Sequence, residues 1–177
     1  MTISRQIAHR PWRRMLSVLV LAFAVPACIA QTPAQSLVQA QNLRADGELA
    51  AGRGVPLIVL VSLEGCPHCE VVRRSHLLPL GGGEDGAAKP VIRQIELRGN
   101  AVLVDFNGER KTHAAFARER RASIAPVVMF LDAKGQTLAA PLIGAMIPDF
   151  YGAYFDAALA EARARMAGNR RGNGTSP

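Results

Sequence analysis

The chain has 177 residues, 49% of them hydrophobic, and a formal net charge of +7 at pH 7. That length suits one compact domain with accessory ends, since domains usually hold roughly 100–200 residues. The first 30 residues carry four arginines and no acid, so without them the formal charge falls to +3, with Arg170 and Arg171 in a Gly/Asn/Ser/Pro-containing tail. A near-neutral body lacking an arginine stripe with interleaved aromatics argues against nucleic acid as a partner.

Arg5, Arg10, Arg13 and Arg14 precede the apolar run from Met15 to Ala24, and Ala27-Cys28-Ile29-Ala30 supplies small residues behind it. This is the layout of a secretory signal peptide over residues 1–30, which implies a periplasmic, exported protein. The run is about ten residues, short of the roughly 20 that span a bilayer. Val25-Pro26-Ala27-Cys28 also loosely resembles a lipoprotein box, in which lipidation of Cys28 would anchor the chain to a membrane, although proline there is unusual. Arg13-Arg14 is read as ordinary positive charge rather than a twin-arginine export signal.

Residues 31–167 are expected to form the folded domain and 168–177 a disordered tail. Apolar residues from Leu37 to Ala50 recur at helical spacing, which predicts a leading helix over Gln35–Ala51 closed by Gly52 and Gly54. Val55 to Ser62 is an apolar, β-branched run with Pro56 near its start, as in a central strand buried on both faces. Cys66 to Leu80 reads as a helix with Pro67 in its first turn. The glycine-rich stretch from Gly81 to Lys89 is a linker, since it lacks the Gly-Lys-Ser/Thr ending of a phosphate loop. Val91 to Leu97 gives a second strand, and Asn107-Gly108 a two-residue hairpin turn between short strands. Thr112 is placed to cap a helix from His113 to Arg121. Pro126 to Leu131 and Gln136 to Gly144 form a hairpin across Asp132-Ala133-Lys134-Gly135, and Pro148-Asp149 opens the last helix. The order predicts an α/β fold, a mixed central sheet with helices on both faces and an inserted hairpin.

The chain has three cysteines, and cleavage after Ala30 leaves Cys66 and Cys69 alone in the mature protein. Small secreted domains stapled by disulfides use several well-separated pairs, so this one sits in the place of a working disulfide. The thiolate is the nucleophile in disulfide exchange, and a helix amino terminus favours it through unsatisfied N–H groups and the macrodipole. Cys66 is therefore the expected nucleophile, and Cys69, one turn further in, the resolving thiol. Pro67 stiffens the turn, and His68 can donate a hydrogen bond or positive charge to the Cys66 thiolate, which makes the disulfide more oxidising.

Cys66-Pro67-His68-Cys69 after a buried strand, Ile124-Ala125-Pro126 before another, and the turn Phe130 to Gly135 resemble the thioredoxin superfamily over roughly Gln35 to Met166. The resemblance implies a thioredoxin fold, thiol–disulfide oxidoreductase activity without a cofactor, and a cis-proline at Pro126 that with Ala125 helps hold the substrate chain. The family's tryptophan before the first cysteine is here Gly65, its Gly-Pro dipeptide Pro67-His68, its buried acid Leu60, and the usual threonine before the cis-proline Ala125. The dipeptide is similar to that of Dsb-type oxidases, but the short chain looks more like small periplasmic thioredoxin-like proteins. The implied partners are thiols or disulfides of exported proteins and a membrane redox protein. A non-catalytic adaptor or redox sensor is the alternative.

Four ligands are usual for zinc, and Cys66, His68 and Cys69 cannot easily recruit His76 and His113, so no metal is expected. His76 and His113 are read as helix-surface residues, and the run Arg118-Glu119-Arg120-Arg121 as a solvated helix end. Phe150, Tyr151, Tyr154 and Phe155 are read as core and edge packing of the terminal helix.

Overall fold

The computed structural model describes residues 36–82, 89–145 and 148–173. The expected signal segment with Cys28 and most of the glycine-rich linker lie outside the described residues.

Four strands form the main sheet: β1 (Leu57–Ser62), β2 (Val91–Glu96), β5 (Val127–Leu131) and β6 (Thr137–Ile143), in the order β2-β1-β5-β6. β2 runs parallel to β1, whereas β5 is antiparallel to β1 and to β6. Every residue of β1 is buried, as its unbroken apolar run requires of a strand with sheet on both sides and helices on both faces. The period-2 alternation divides its side chains between two cores. Ile58 and Leu60 join Val128, Phe130, Phe155 and Leu159 on one face, and Leu57, Val59 and Val61 join Leu43, Ile95, Leu103 and Phe116 on the other.

The first face is covered by α5 (Pro148–Asn173) and by a helix that begins beside the cysteines. That helix is α2 (Pro67–Val72), continuing through a π-helical turn, Arg73–Leu77, into α3 (Leu78–Gly82). Backbone angles stay helical at both junctions. Pro79 has no N–H to donate to Ser75 and its ring crowds that carbonyl, which accounts for the widened turn just ahead of it. The second face carries α1 (Leu43–Arg53) and α4 (His113–Glu119).

The leading helix is shorter than predicted. Leu37 to Asn42 are not helical: Ala40 N–H donates to Gln94 O at 2.8 Å and Gln94 N–H to Val38 O at 2.9 Å, so Val38 to Ala40 pair with the free edge of β2, while Gln41 O accepts from Val104 N–H at 2.9 Å. Asn42 then caps α1, its side chain accepting from Ala45 N–H at 3.0 Å. Satisfying an edge strand and a helix start together outweighs the weak helical spacing of that stretch.

The inserted hairpin pairs β3 (Val102–Val104) with β4 (Arg110–Thr112). Its turn is longer than the predicted Asn107-Gly108 pair. Asp105 N–H bonds to Glu109 O, and the Asp105 carboxylate accepts from the N–H groups of Asn107 and Glu109 at 2.8 and 2.9 Å. Residues 106–108 form the loop, with Gly108 at φ 89° supplying the left-handed position that such three-residue loops need. Lys111 lies among Asp105, Glu109 and Glu119, at 2.7, 3.2 and 2.7 Å. Burial pushes the Asp105 carboxyl up, but the Lys111 ammonium and the two N–H donors outweigh it and hold the group below its ordinary range. Thr112 caps α4 as expected, accepting from Ala115 N–H at 3.1 Å.

His113, expected on a helix surface, is 1% exposed. Its Nδ1 accepts from Glu96 N–H at 3.1 Å and its Nε2 lies 2.9 Å from Ala40 O, a pattern that assigns a neutral ring with the proton on Nε2. The ring ties the start of α4 to the end of β2 and to the amino-terminal segment. His76 is half-buried, packed on Tyr151 and Phe155 with ring centroids 5.1 and 5.4 Å apart, and desolvation lowers its pKa against the opposing pull of Asp156. Arg120 is not a freely solvated helix end. It lies 5.3 and 5.2 Å from the rings of Phe106 and Phe116 and donates to Gly135 O at 2.8 Å.

The aromatics of α5 divide: Tyr151 and Phe155 are buried, while Phe150 and Tyr154 are about 60% exposed. Burial, with no partner for its hydroxyl among the described residues, pushes the Tyr151 pKa up to about 12. The helix runs through Gly168 to Asn173 rather than giving way to a disordered tail at 168. A single helix glycine costs about 1 kcal/mol relative to alanine, and the buried stripe Tyr151, Phe155, Leu159, Ala162 and Met166 anchors the helix up to that point. Among the described residues no helix is long and apolar enough to cross a membrane.

Candidate functional site: a cysteine pair at a helix start

Cys66 stands at the N-cap of α2, with extended backbone angles, and its sulfur accepts from Cys69 N–H at 3.1 Å. Pro67 occupies the first helical position, where a missing N–H leaves no bond unmade. Cys66 and Cys69 are joined by a disulfide, with Cα atoms 5.3 Å apart, inside the range a bridge requires. The helix geometry expected from the spacing is therefore present. The N–H group now directed at the Cys66 sulfur stabilises a thiolate there once the bridge opens.

The two sulfurs differ in access. Cys66 is half-buried and Cys69 is 1% exposed, so an incoming thiol or disulfide reaches Cys66 first. Gly65, at φ 70°, turns the chain out of β1 and has open space where a side chain would stand, leaving that flank of Cys66 uncovered. Pro67 and His68 are exposed, so any influence of the imidazole on Cys66 acts partly through water.

Ala125 and Pro126 come to the same end of the sheet. Val61 pairs with Val127, which sets Pro126 across from the carboxyl end of β1, where the chain leaves for the cysteines. Pro126 is buried, Ala125 half-buried, and the peptide bond between them is cis.

Strand order β2-β1-β5-β6, with one parallel and two antiparallel neighbours, helices on both faces and a dicysteine turn after the central strand, decides the architecture. The chain has a thioredoxin fold. Similar solved structures include a thioredoxin-fold protein from Helicobacter pylori, 13% identical over 67% of this chain and 86% of that one, with a TM-score of 0.41. They also include spinach chloroplast thioredoxin F, 12% identical over 71% and 98%, TM-score 0.43, and a Schistosoma mansoni thioredoxin pre-protein, 12% identical over 67% and 97%, TM-score 0.39. No protein-family model and no curated protein sequence matches the chain. Within the thioredoxin fold, an oxidised Cys-x-x-Cys pair with one accessible and one buried sulfur is the equipment of thiol–disulfide exchange.

A polar network beside the pair escaped the sequence reading. Arg73, one turn beyond Cys69, pairs with Glu70, donates to Gln94 Oε1 at 3.0 Å and to Ser62 Oγ at 3.2 Å, and Gln94 donates to Glu96 Oε1 at 2.6 Å. Glu70 also pairs with Arg74. Ser62, the last residue of β1, and Gln94, inside β2, are buried, so this network satisfies polar groups that would otherwise be costly there. Glu70 and Arg73 three residues apart, and a glutamine inside an apolar strand, were the available signals. Leu60, where the resemblance has a buried acid, lies fully buried in the core directly beside Gln94 in the sheet. Among the described residues no group of three or more His, Cys, Asp or Glu side chains gathers as metal ligands would.

Proposed function

We propose that the protein is a periplasmic thiol–disulfide oxidoreductase that exchanges disulfides with other exported proteins through Cys66 and Cys69. The observation that carries this reading is the disulfide between an accessible N-cap sulfur and a buried one a turn away. In the oxidising direction, a client thiolate attacks Cys66, forming a mixed disulfide and releasing the Cys69 thiolate. A second client thiolate then attacks the client sulfur of that bridge, so the client gains a disulfide and the pair is left as two thiols. Reversing the steps reduces a client, and a membrane redox partner would return the pair to its starting state. Ala125 and Pro126 would support the client chain beside Cys66.

Export is tested by expressing the full chain in a bacterium with an outer membrane and weighing the product in the periplasmic fraction. The expected species begins at Gln31. A mass increased by lipid at Cys28 would make the protein membrane-anchored, and an uncleaved chain held in the cytosol would contradict export.

A further inference from the structure

We infer that the cleft alongside Cys66 is a binding site for small disulfides and thiols of the amino-acid type, whose ends carry both an ammonium and a carboxylate. The inference rests on the exchange chemistry proposed above and adds a substrate class to it. The cleft has a volume of about 780 Å³ and is walled by the carboxyl ends of β1 and β2 and the first turns of α2, with Cys66 in its lining. Pockets for small ligands usually hold roughly 300–1,000 Å³. It exists because the chain places Ser62 and Gly65, two small residues, where it passes from β1 to Cys66.

The charges in the cleft fall into two groups. Arg73 is committed to Glu70, Ser62 and Gln94, so it forms a fixed part of the floor. Glu64 and Arg98 are exposed on the rim and, among the described residues, form no ion pair, while Glu96 accepts a single side-chain bond from Gln94. Among the described residues, the charged groups of the lining that form no ion pair are thus two carboxylates, Glu64 and Glu96, and one guanidinium, Arg98, around an accessible sulfur. A polypeptide backbone is uncharged along its length and would leave them unmatched except at particular side chains. An amino acid end carries both complementary charges on one carbon, with its carboxylate suited to the planar fork of Arg98 and its ammonium to Glu64 or Glu96.

The chemistry balances without a further reactant. The Cys66 thiolate attacks one sulfur of a small disulfide, forming a mixed disulfide and expelling one small thiolate. Cys69, deprotonated, attacks the Cys66 sulfur and expels the second. The protein dithiol loses two electrons, the small disulfide gains them, and the two leaving thiolates take up the two protons. The reverse sequence lets two small thiols reduce the protein.

The test measures how fast the reduced mature protein is oxidised by L-cystine, by cystamine, which has the ammonium groups alone, and by 3,3′-dithiodipropionate, which has the carboxylates alone. Each rate is divided by that of a Cys-Pro-His-Cys peptide with the same disulfide, which removes intrinsic reactivity. L-Cystine is expected to lead each of the others by about two- to fivefold, the scale of the one exposed ion pair that each singly charged probe lacks. Arg98→Glu should erase the lead over cystamine, which lacks the carboxylate that Arg98 would hold, and Arg98→Gln should reduce it, while the lead over 3,3′-dithiodipropionate, set by Glu64 and Glu96, should remain; folding of both variants is checked by circular dichroism. Equal normalised rates, a lead for either singly charged probe, or an undiminished cystine lead over cystamine in Arg98→Glu would overturn the cleft assignment while leaving exchange intact. Failure of the wild-type protein to react with any of the three would instead overturn the exchange function on which it rests.

Discussion

Cys66→Ser is expected to lower the rate of disulfide exchange by about three orders of magnitude or more, because removing a nucleophile removes the covalent route itself. Serine is nearly isosteric and can still cap α2, so the fold should persist while the chemistry stops. Cys69→Ser should behave differently. The accessible sulfur would still attack a client disulfide, but the buried thiol that clears the mixed disulfide would be missing. Client proteins should then accumulate in covalent complexes that migrate as adducts on non-reducing gels and vanish with reductant. This asymmetry follows from burial: Cys66 is half-buried and Cys69 almost wholly so. If the two single variants trapped clients equally, or if Cys66→Ser kept most of its activity, the assignment of roles would be wrong.

The second large effect concerns His113→Ala. The imidazole bonds Glu96 N–H and the carbonyl of Ala40 while itself 1% exposed, so alanine leaves both backbone groups without that partner and opens a cavity. A buried polar group stripped of its bond costs about 1–3 kcal/mol, and the missing ring adds to that, so a loss of about 2–4 kcal/mol is expected. Urea unfolding followed by circular dichroism measures it. A change below about 0.5 kcal/mol, the level of a typical surface substitution, would mean the ring does not carry the structural load its contacts imply. Glu96 also lines the cleft beside Cys66, so exchange at moderate denaturant should fail earlier in this variant than in the wild type.

How much of this was legible in the residues depended on whether local chemistry or tertiary partners decided each one. β1 and β5 were legible because unbroken apolar, β-branched runs of that length have few other uses. The first turn of α2 was legible because proline and two cysteines at that spacing suit a helix start. Leu37 to Asn42 misled, because the backbone that recruits them, the edge of β2 and Val104, lies more than fifty residues away and leaves no mark on their periodicity. His113 and Arg120 misled for a related reason. Arginine is usually exposed and histidine intermediate, and each is drawn inward by a particular carbonyl or aromatic surface, Ala40 O for His113 and Phe106, Phe116 and Gly135 O for Arg120. Asn107-Gly108 marked the turn correctly but not its length, which the Asp105 carboxylate sets by gathering two backbone N–H groups.

At the site, the cysteine pair was readable while its surroundings were not. The Glu70–Arg73–Gln94–Ser62 network joins a helix to two strands, and its members carry no shared motif. Polar residues inside an apolar strand, such as Gln94, are the sequence mark of such networks, since burial without a partner would be too costly to retain.

The most direct test of the account is the redox equilibrium of the chain from Gln31 onward in glutathione buffers, with its two thiols counted by alkylation and mass spectrometry. Cys66 and Cys69 should titrate together as one two-electron couple, with a potential between about −270 and about −120 mV, the span of working oxidoreductases. A potential below about −300 mV, as structural disulfides have, would contradict the claim that this bridge opens and closes in service.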